Sequence, residues 1–282
     1  MILCEYRQTN MIIDFHVHTA YYDTRTQSHR DLLHKAWGDR LDWMLQTYST
    51  PEAFVELMDE AGINAAVILA ERAPVVSGIA SNEDVAEFCS FSPRLIPFAS
   101  IDPHASDNPA DELEYLVIRM GFKGLKLYPT YQLFYPNEAK IYPLYAKAQE
   151  LDIPVLFHTG SSVFKGSRLK YGDPIYIDDV AIDFPKLMLL QAHCGRPFWY
   201  EKALALSQLH ENVYMEISGL PPQNLLFNFP KLERVAHKVI YGSDWPGVPT
   251  IKENIVAIQG LEISDQAKQM ILGGNAARLL KL

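Results

Sequence analysis

Residues 11–18 read MIIDFHVH, an apolar run that closes on His16 and His18. Extended backbone turns successive side chains to opposite faces, so two imidazoles spaced two apart point the same way. Phe15 and Val17 are then expected to pack against whatever covers the strand. Two converging imidazoles are half of a zinc shell, which takes neutral histidine nitrogens and wants four donors. The pair gains its meaning from the rest of the chain.

Three later segments repeat the pattern: PVLFHTG with His158, MLLQAHCG with His193, and VIYGSDWP with Asp244. In each, an uncharged run rich in Val, Ile, Leu or Met ends in a metal-competent side chain, and Gly, Ser or Pro then breaks the strand. Counting every apolar run of this kind gives eight, at 11–18, 64–70, 95–101, 124–128, 154–158, 188–193, 213–219 and 239–244. The later ones lie roughly 25 to 35 residues apart, room for a crossover helix in a parallel sheet. Helical signals occupy the intervals. Thr50 caps a segment with Pro51 in its first turn, apolar Phe54, Val55, Leu57 and Met58, and a stop at Gly62. Comparable segments run over 109–120, 143–151, 198–209 and 250–259, and Asn275 is placed to cap a closing helix.

Strands apolar on both faces, alternating with helices, predict an α/β fold: a (β/α)8 TIM barrel in a single domain over 11–282. An open doubly wound sheet is the rival, but the ligand-type residues sit on the first, fifth, sixth and eighth runs, and only a closed barrel brings first and last together. Residues 1–10, MILCEYRQTN, read as an extension outside the barrel. They lack the basic flank and long apolar core of a signal peptide, and no spanning segment follows. With three scattered cysteines, Cys4, Cys89 and Cys194, the expected location is a reducing cytoplasm. Cys194 reads as a buried thiol beside His193. The net charge of -9 argues against a nucleic-acid or anionic-membrane partner. Residues 19–50 form the longest irregular stretch, and their spacing fits a lid or a packed extra helix equally.

With GFKGLKLYP, HTG, AHCGRP, YGSDWP and GGNAARLL in order, the chain resembles the amidohydrolase superfamily, in the branch that holds aminocarboxymuconate semialdehyde decarboxylase and sugar lactonases. The resemblance implies a metal-dependent barrel in which His16, His18, His158 and Asp244 hold the metal and His193 stands beside it as acid, base or electrophile. Three imidazoles and a carboxylate suit Zn2+, with Mn2+ or Fe2+ as alternatives. Asp244 is also expected to take a proton from a metal-bound water.

Lys126 sits where binuclear relatives carry a carboxylated lysine. One metal is favoured, a second requires that carboxylation, and an unmodified Lys126 could bind a substrate carboxylate instead. Lys165, Arg168 and Lys170 follow the fifth run and Arg196 follows His193. Cations beside a metal favour a small anionic substrate, because arginine grips a carboxylate with two hydrogen bonds. Two activities fit these residues. The first is hydrolysis of a small carboxylated lactone, ester or amide through a metal-bound hydroxide; the alternative is nonoxidative decarboxylation of a small unsaturated or aromatic acid. A homodimer is compatible with the sequence.

Overall fold

The computed structural model describes residues 11–282, so the expectation for 1–10 lies outside the described residues. Eight parallel strands form one sheet in sequence order: β1 (Ile13–His18), β2 (Ala65–Leu69), β3 (Leu95–Ser100), β4 (Gly124–Leu127), β5 (Val155–His158), β6 (Leu189–Ala192), β7 (Val213–Glu216) and β8 (Val239–Ile240). Closure is made by the chain just beyond β8. Phe15 N–H donates to Tyr241 O, Asp244 N–H to His16 O, and His18 N–H to Trp245 O, at 3.0, 2.9 and 2.8 Å. The expected TIM barrel is the observed fold, and the open sheet is excluded by these bonds.

The register between β1 and β2 shifts between Asp14 and Val17. This irregularity corrects the expectation for Phe15. Its ring faces inward, edge-on to Phe98 at 5.3 Å, within a buried cluster drawn from six strands and from Ala276 and Leu279 at the closing helix. A bulge lets both Phe15 below and the histidines above occupy the interior, which strict alternation forbids. Val17 packs outward as expected, in the larger cluster between strands and helices.

Most crossover helices lie where their signals place them. Thr50 accepts from Ala53 N–H ahead of α3 (Pro51–Ala61), and Gly62 closes it in a left-handed conformation. The closing helix departs from expectation at Asn275. Its side chain does not cap; it is buried, and its amide donates to the Ala236 and Val239 carbonyls at 2.7 Å. Residues 19–50 contain α1 (Gln27–Trp37) and α2 (Leu41–Tyr48), which bury Leu33, Trp37, Leu41 and Met44. Among the described residues no helix is long and apolar enough to cross a membrane.

Candidate metal centre

The strand ends place their polar side chains in one space. His16 and His18 come from β1, His158 from the end of β5, His193 from the turn after β6, and Asp244 from the turn after β8. The Asp244 carboxylate is the point of convergence. Its Oδ1 lies 3.6 Å from His16 Nε2 and 3.8 Å from His18 Nε2, and its Oδ2 lies 4.0 Å from His193 Nδ1. One donor atom each from His16, His193 and Asp244 falls within 4.8 Å of the others. His158 stands next to His193, ring centroids 4.8 Å apart, with Tyr131 on its other side at 4.6 Å.

These separations are too long for hydrogen bonds. They suit donors around one cation, since nitrogen and oxygen held at about 2.0–2.1 Å in a tetrahedron lie roughly 3.3 Å apart. Protonation agrees. Burial, the largest cause, drives His16, His158 and His193 well below the usual imidazole range, and takes His18 down to about 3. Neutral imidazoles are the form that ligates metal. Among the described residues, the buried His18 Nδ1 has no hydrogen-bond partner, and neither does the buried Lys126 Nζ. The donor set therefore fits a metal ion.

Outer groups orient these rings. His16 Nδ1 lies 3.0 Å from Glu216 Oε2, and Ser218 Oγ donates to the same oxygen at 2.8 Å. His193 Nδ1 lies 2.9 Å from the Ser218 carbonyl oxygen. A carbonyl only accepts, so Nδ1 carries the proton and Nε2 keeps its lone pair. His18 faces Glu71 Oε2 at 3.7 Å, while that carboxylate pairs with Arg25 and accepts from Ser77 Oγ. Glu216, Ser218 and Glu71 were not legible as site residues. Glu216 could have been suspected as a lone acid within the apolar run VYMEISG.

Lys126 is fully buried, its Nζ 5.0 Å from the Tyr128 ring centre. Burial lowers its pKa to about 8, against the pull of Glu216, Asp244 and Glu71. Glu216 is raised to about 8, again by burial first, with Lys126 opposing. Arg196 donates from Nη1 to Gly219 O at 2.7 Å and approaches Asp244 at 3.9 Å. Arg168 is exposed and does not line the cavity, whereas Arg196 does. Phe198, two residues beyond Arg196, is exposed, and Trp245, next to Asp244, is buried against Phe54 and Tyr48.

The backbone at this rim is unusual. His193, Cys194 and Asp244 have φ of 62°, 49° and 67°, a region non-glycine residues visit at a cost. The bend at Cys194 buries its thiol, which donates to Glu216 O at 3.3 Å. Above the donors lies a cavity of about 300 Å³, walled by His29 and Leu32 of α1, by Ser161, Ser162, Val163 and Phe164, and by Pro246, Gly247 and Val248. The stretch after β1 is thus packed helix and cavity wall together.

Comparison with known proteins bears on the family and the fold. The profile of the family described as amidohydrolase matches residues 13–282. An uncharacterised TIM-barrel protein from Bordetella bronchiseptica is similar, at 24% identity and TM-score 0.79, over 96% of this chain and 98% of that one. So is the 5-carboxyvanillate decarboxylase of Novosphingobium aromaticivorans, solved with manganese: 17% identity, TM-score 0.73, 98% and 97% of the two chains. A probable 2-pyrone-4,6-dicarboxylic acid hydrolase from Acinetobacter baumannii has 18% identity and TM-score 0.69, over 96% and 99%.

Proposed function

The chain belongs to the amidohydrolase family, and from that premise we propose that it is a metal-dependent hydrolase of a small carboxylated lactone, ester or amide. The observation that carries the reading is the convergence of His16, His18, His193 and Asp244 at the floor of a cavity of about 300 Å³. That volume suits a small ligand rather than a polymer. His16, His18, His158 and Asp244 would hold the metal, Zn2+ in the first instance. Once bound, the ion supplies Lewis acidity and a nucleophile at neutral pH.

The remaining work belongs to the chain's own groups. The Asp244 carboxylate, raised above its usual range by burial, is suited to accept a proton and return it to a leaving group. His193 Nε2, with Nδ1–H held by the Ser218 carbonyl, faces the substrate as a neutral base or, once protonated, as an acid. Arg196 at the cavity wall would hold a substrate carboxylate. Lys126 is better placed as a buried counter-charge to Glu216 and Asp244 than as a direct ligand for substrate.

The second reading is decarboxylation, with His193 delivering a proton to the carbon that loses carbon dioxide. It is favoured by the likeness to 5-carboxyvanillate decarboxylase across nearly the whole chain. Metal-reconstituted protein incubated with pooled carboxylated lactones and with hydroxybenzoates separates the two. Acid release from lactones supports hydrolysis, and carbon dioxide release from the benzoates supports the second. Neither, at any metal loading, would overturn both.

A further inference from the structure

His29 is contributed by α1 and lines the cavity, although only 7% of its surface is exposed. It comes from a loop-borne helix rather than from a strand end, and it belongs to none of the donor contacts above. Its position is built. The ring stacks on Phe164 with centroids 4.7 Å apart and planes at 19°. Its Nδ1 lies 3.1 Å from the Ser77 carbonyl oxygen. The same residue's hydroxyl donates to Glu71 Oε1 at 2.5 Å, and Thr26 N–H also donates to its carbonyl. Ring, helix start and the antiparallel pair Glu71–Ala73/Gly78–Ala80 are thereby locked together.

Since a carbonyl cannot donate, the Nδ1 proton is fixed on His29. The neutral ring then offers a lone pair at Nε2, for which the described residues provide no partner. Burial, helped by the nearby Arg25 charge, lowers its pKa to about 4, which keeps it neutral at pH 7. An aromatic wall links it to the metal floor: His158 lies against Tyr131, Tyr131 meets Phe164 edge-on at 5.4 Å, and Phe164 stacks on His29. A flat ligand lying along that wall would bring its far edge to Nε2.

We propose that His29 is a specificity-determining residue: its Nε2 accepts a hydrogen bond from a substrate hydroxyl, so the cavity selects small, flat carboxylates that carry a hydroxyl away from the carboxyl group. The inference rests on the reading that this cavity binds a small carboxylate. A hydroxyl supplies the donor that the Nε2 lone pair lacks, whereas its methyl ether presents only an acceptor against that lone pair.

The test measures dissociation constants by calorimetry on zinc-reconstituted protein, for benzoate, 3- and 4-hydroxybenzoate and their methyl ethers. One hydroxy acid should bind roughly three- to tenfold tighter than its ether, the net worth of a neutral hydrogen bond. His29→Asn keeps a donor for Ser77 but has no acceptor at the ε position, and His29→Phe keeps the stack alone. Both should erase the preference, read within each variant as the ratio of the ether's dissociation constant to that of its hydroxy acid. His29→Gln, with an acceptor that reaches the ε position, should restore it. Benzoates that bind wild type without preference, or a preference that survives in folded His29→Asn or His29→Phe protein, would overturn the inference and leave the carboxylate reading standing. If no acid of the series binds, the carboxylate reading fails and this inference with it.

Discussion

His16 Nδ1 and Glu216 Oε2 lie 3.0 Å apart, although 200 residues separate them in the chain. The contact joins β1 to β7 across the barrel interior and turns the other nitrogen of His16 toward Asp244. An acid on the far nitrogen of a ligating imidazole fixes its tautomer and raises its basicity. Glu216→Gln keeps the shape and removes the ionisable carboxyl. Metal affinity should fall about 10- to 100-fold with the fold intact, read by competition against a chelating dye. Unchanged affinity would show that Glu216 does not tune His16.

Removing a donor should cost the metal and spare the barrel, because the site occupies the C-terminal rim and the packed interior lies beneath it. His16→Ala and Asp244→Asn are the informative variants. Asparagine tolerates the left-handed backbone at position 244, so strain does not confuse the second. Each should retain its circular dichroism spectrum and lose metal, measured as ions per chain. Full turnover by metal-stripped His16→Ala would defeat the mechanism.

His193 should behave differently from His16. With Nδ1–H engaged by Ser218 O, its Nε2 is free to exchange protons. His193→Asn also suits the positive φ at this position. It should keep most of the bound metal and lower kcat by roughly 10² or more, the scale for losing a positioned acid or base. Metal loss as complete as in His16→Ala would make His193 a primary ligand, in line with its place in the three-donor cluster.

The Arg25–Glu71 pair predicts a pH signature in stability. Burial alone would raise the Glu71 pKa, but Arg25, His18, His29 and Ser77 outweigh it and hold it down to about 2, against an ordinary 4.5. A depressed carboxylate stabilises the fold above its unfolded pKa, and that contribution drains away as pH falls from about 4.5 toward 2. Glu71→Gln should therefore lower Tm most at neutral pH, by the equivalent of about 3 kcal/mol for a broken buried pair. The gap between wild type and variant should narrow below pH 4.5 in thermal melts of metal-free protein. A gap independent of pH would remove Glu71 from the ionised pair.

Much of the architecture was legible in the linear chain because barrel strands announce themselves. Each is a short apolar run bounded by breakers, and the runs at 95–101 and 124–128 correspond to β3 and β4 within a residue or two. The helix from Thr50 to Gly62 was readable because cap, proline and closing glycine are local chemistry. Asn275 misled for the same reason: a residue type suited to capping was recruited by the distant Ala236 and Val239 carbonyls. Phe15 misled because alternation presumes an unbroken ladder, and β1 carries a register shift.

The sequence by itself determined the strand count, the parallel barrel and the standing of His16, His18, His158, His193 and Asp244 at strand ends, since periodicity and turn chemistry are written between near neighbours. Only the tertiary structure decided what surrounds them. Glu216 on His16, Ser218 on His193, Glu71 with Arg25 near His18, and Ser77 on His29 are contacts between different strands and loops, each made only once the barrel has assembled. No local pattern encodes such pairs, because the energy that selects them, satisfaction of buried polar atoms, exists only once the chain has closed and water has left.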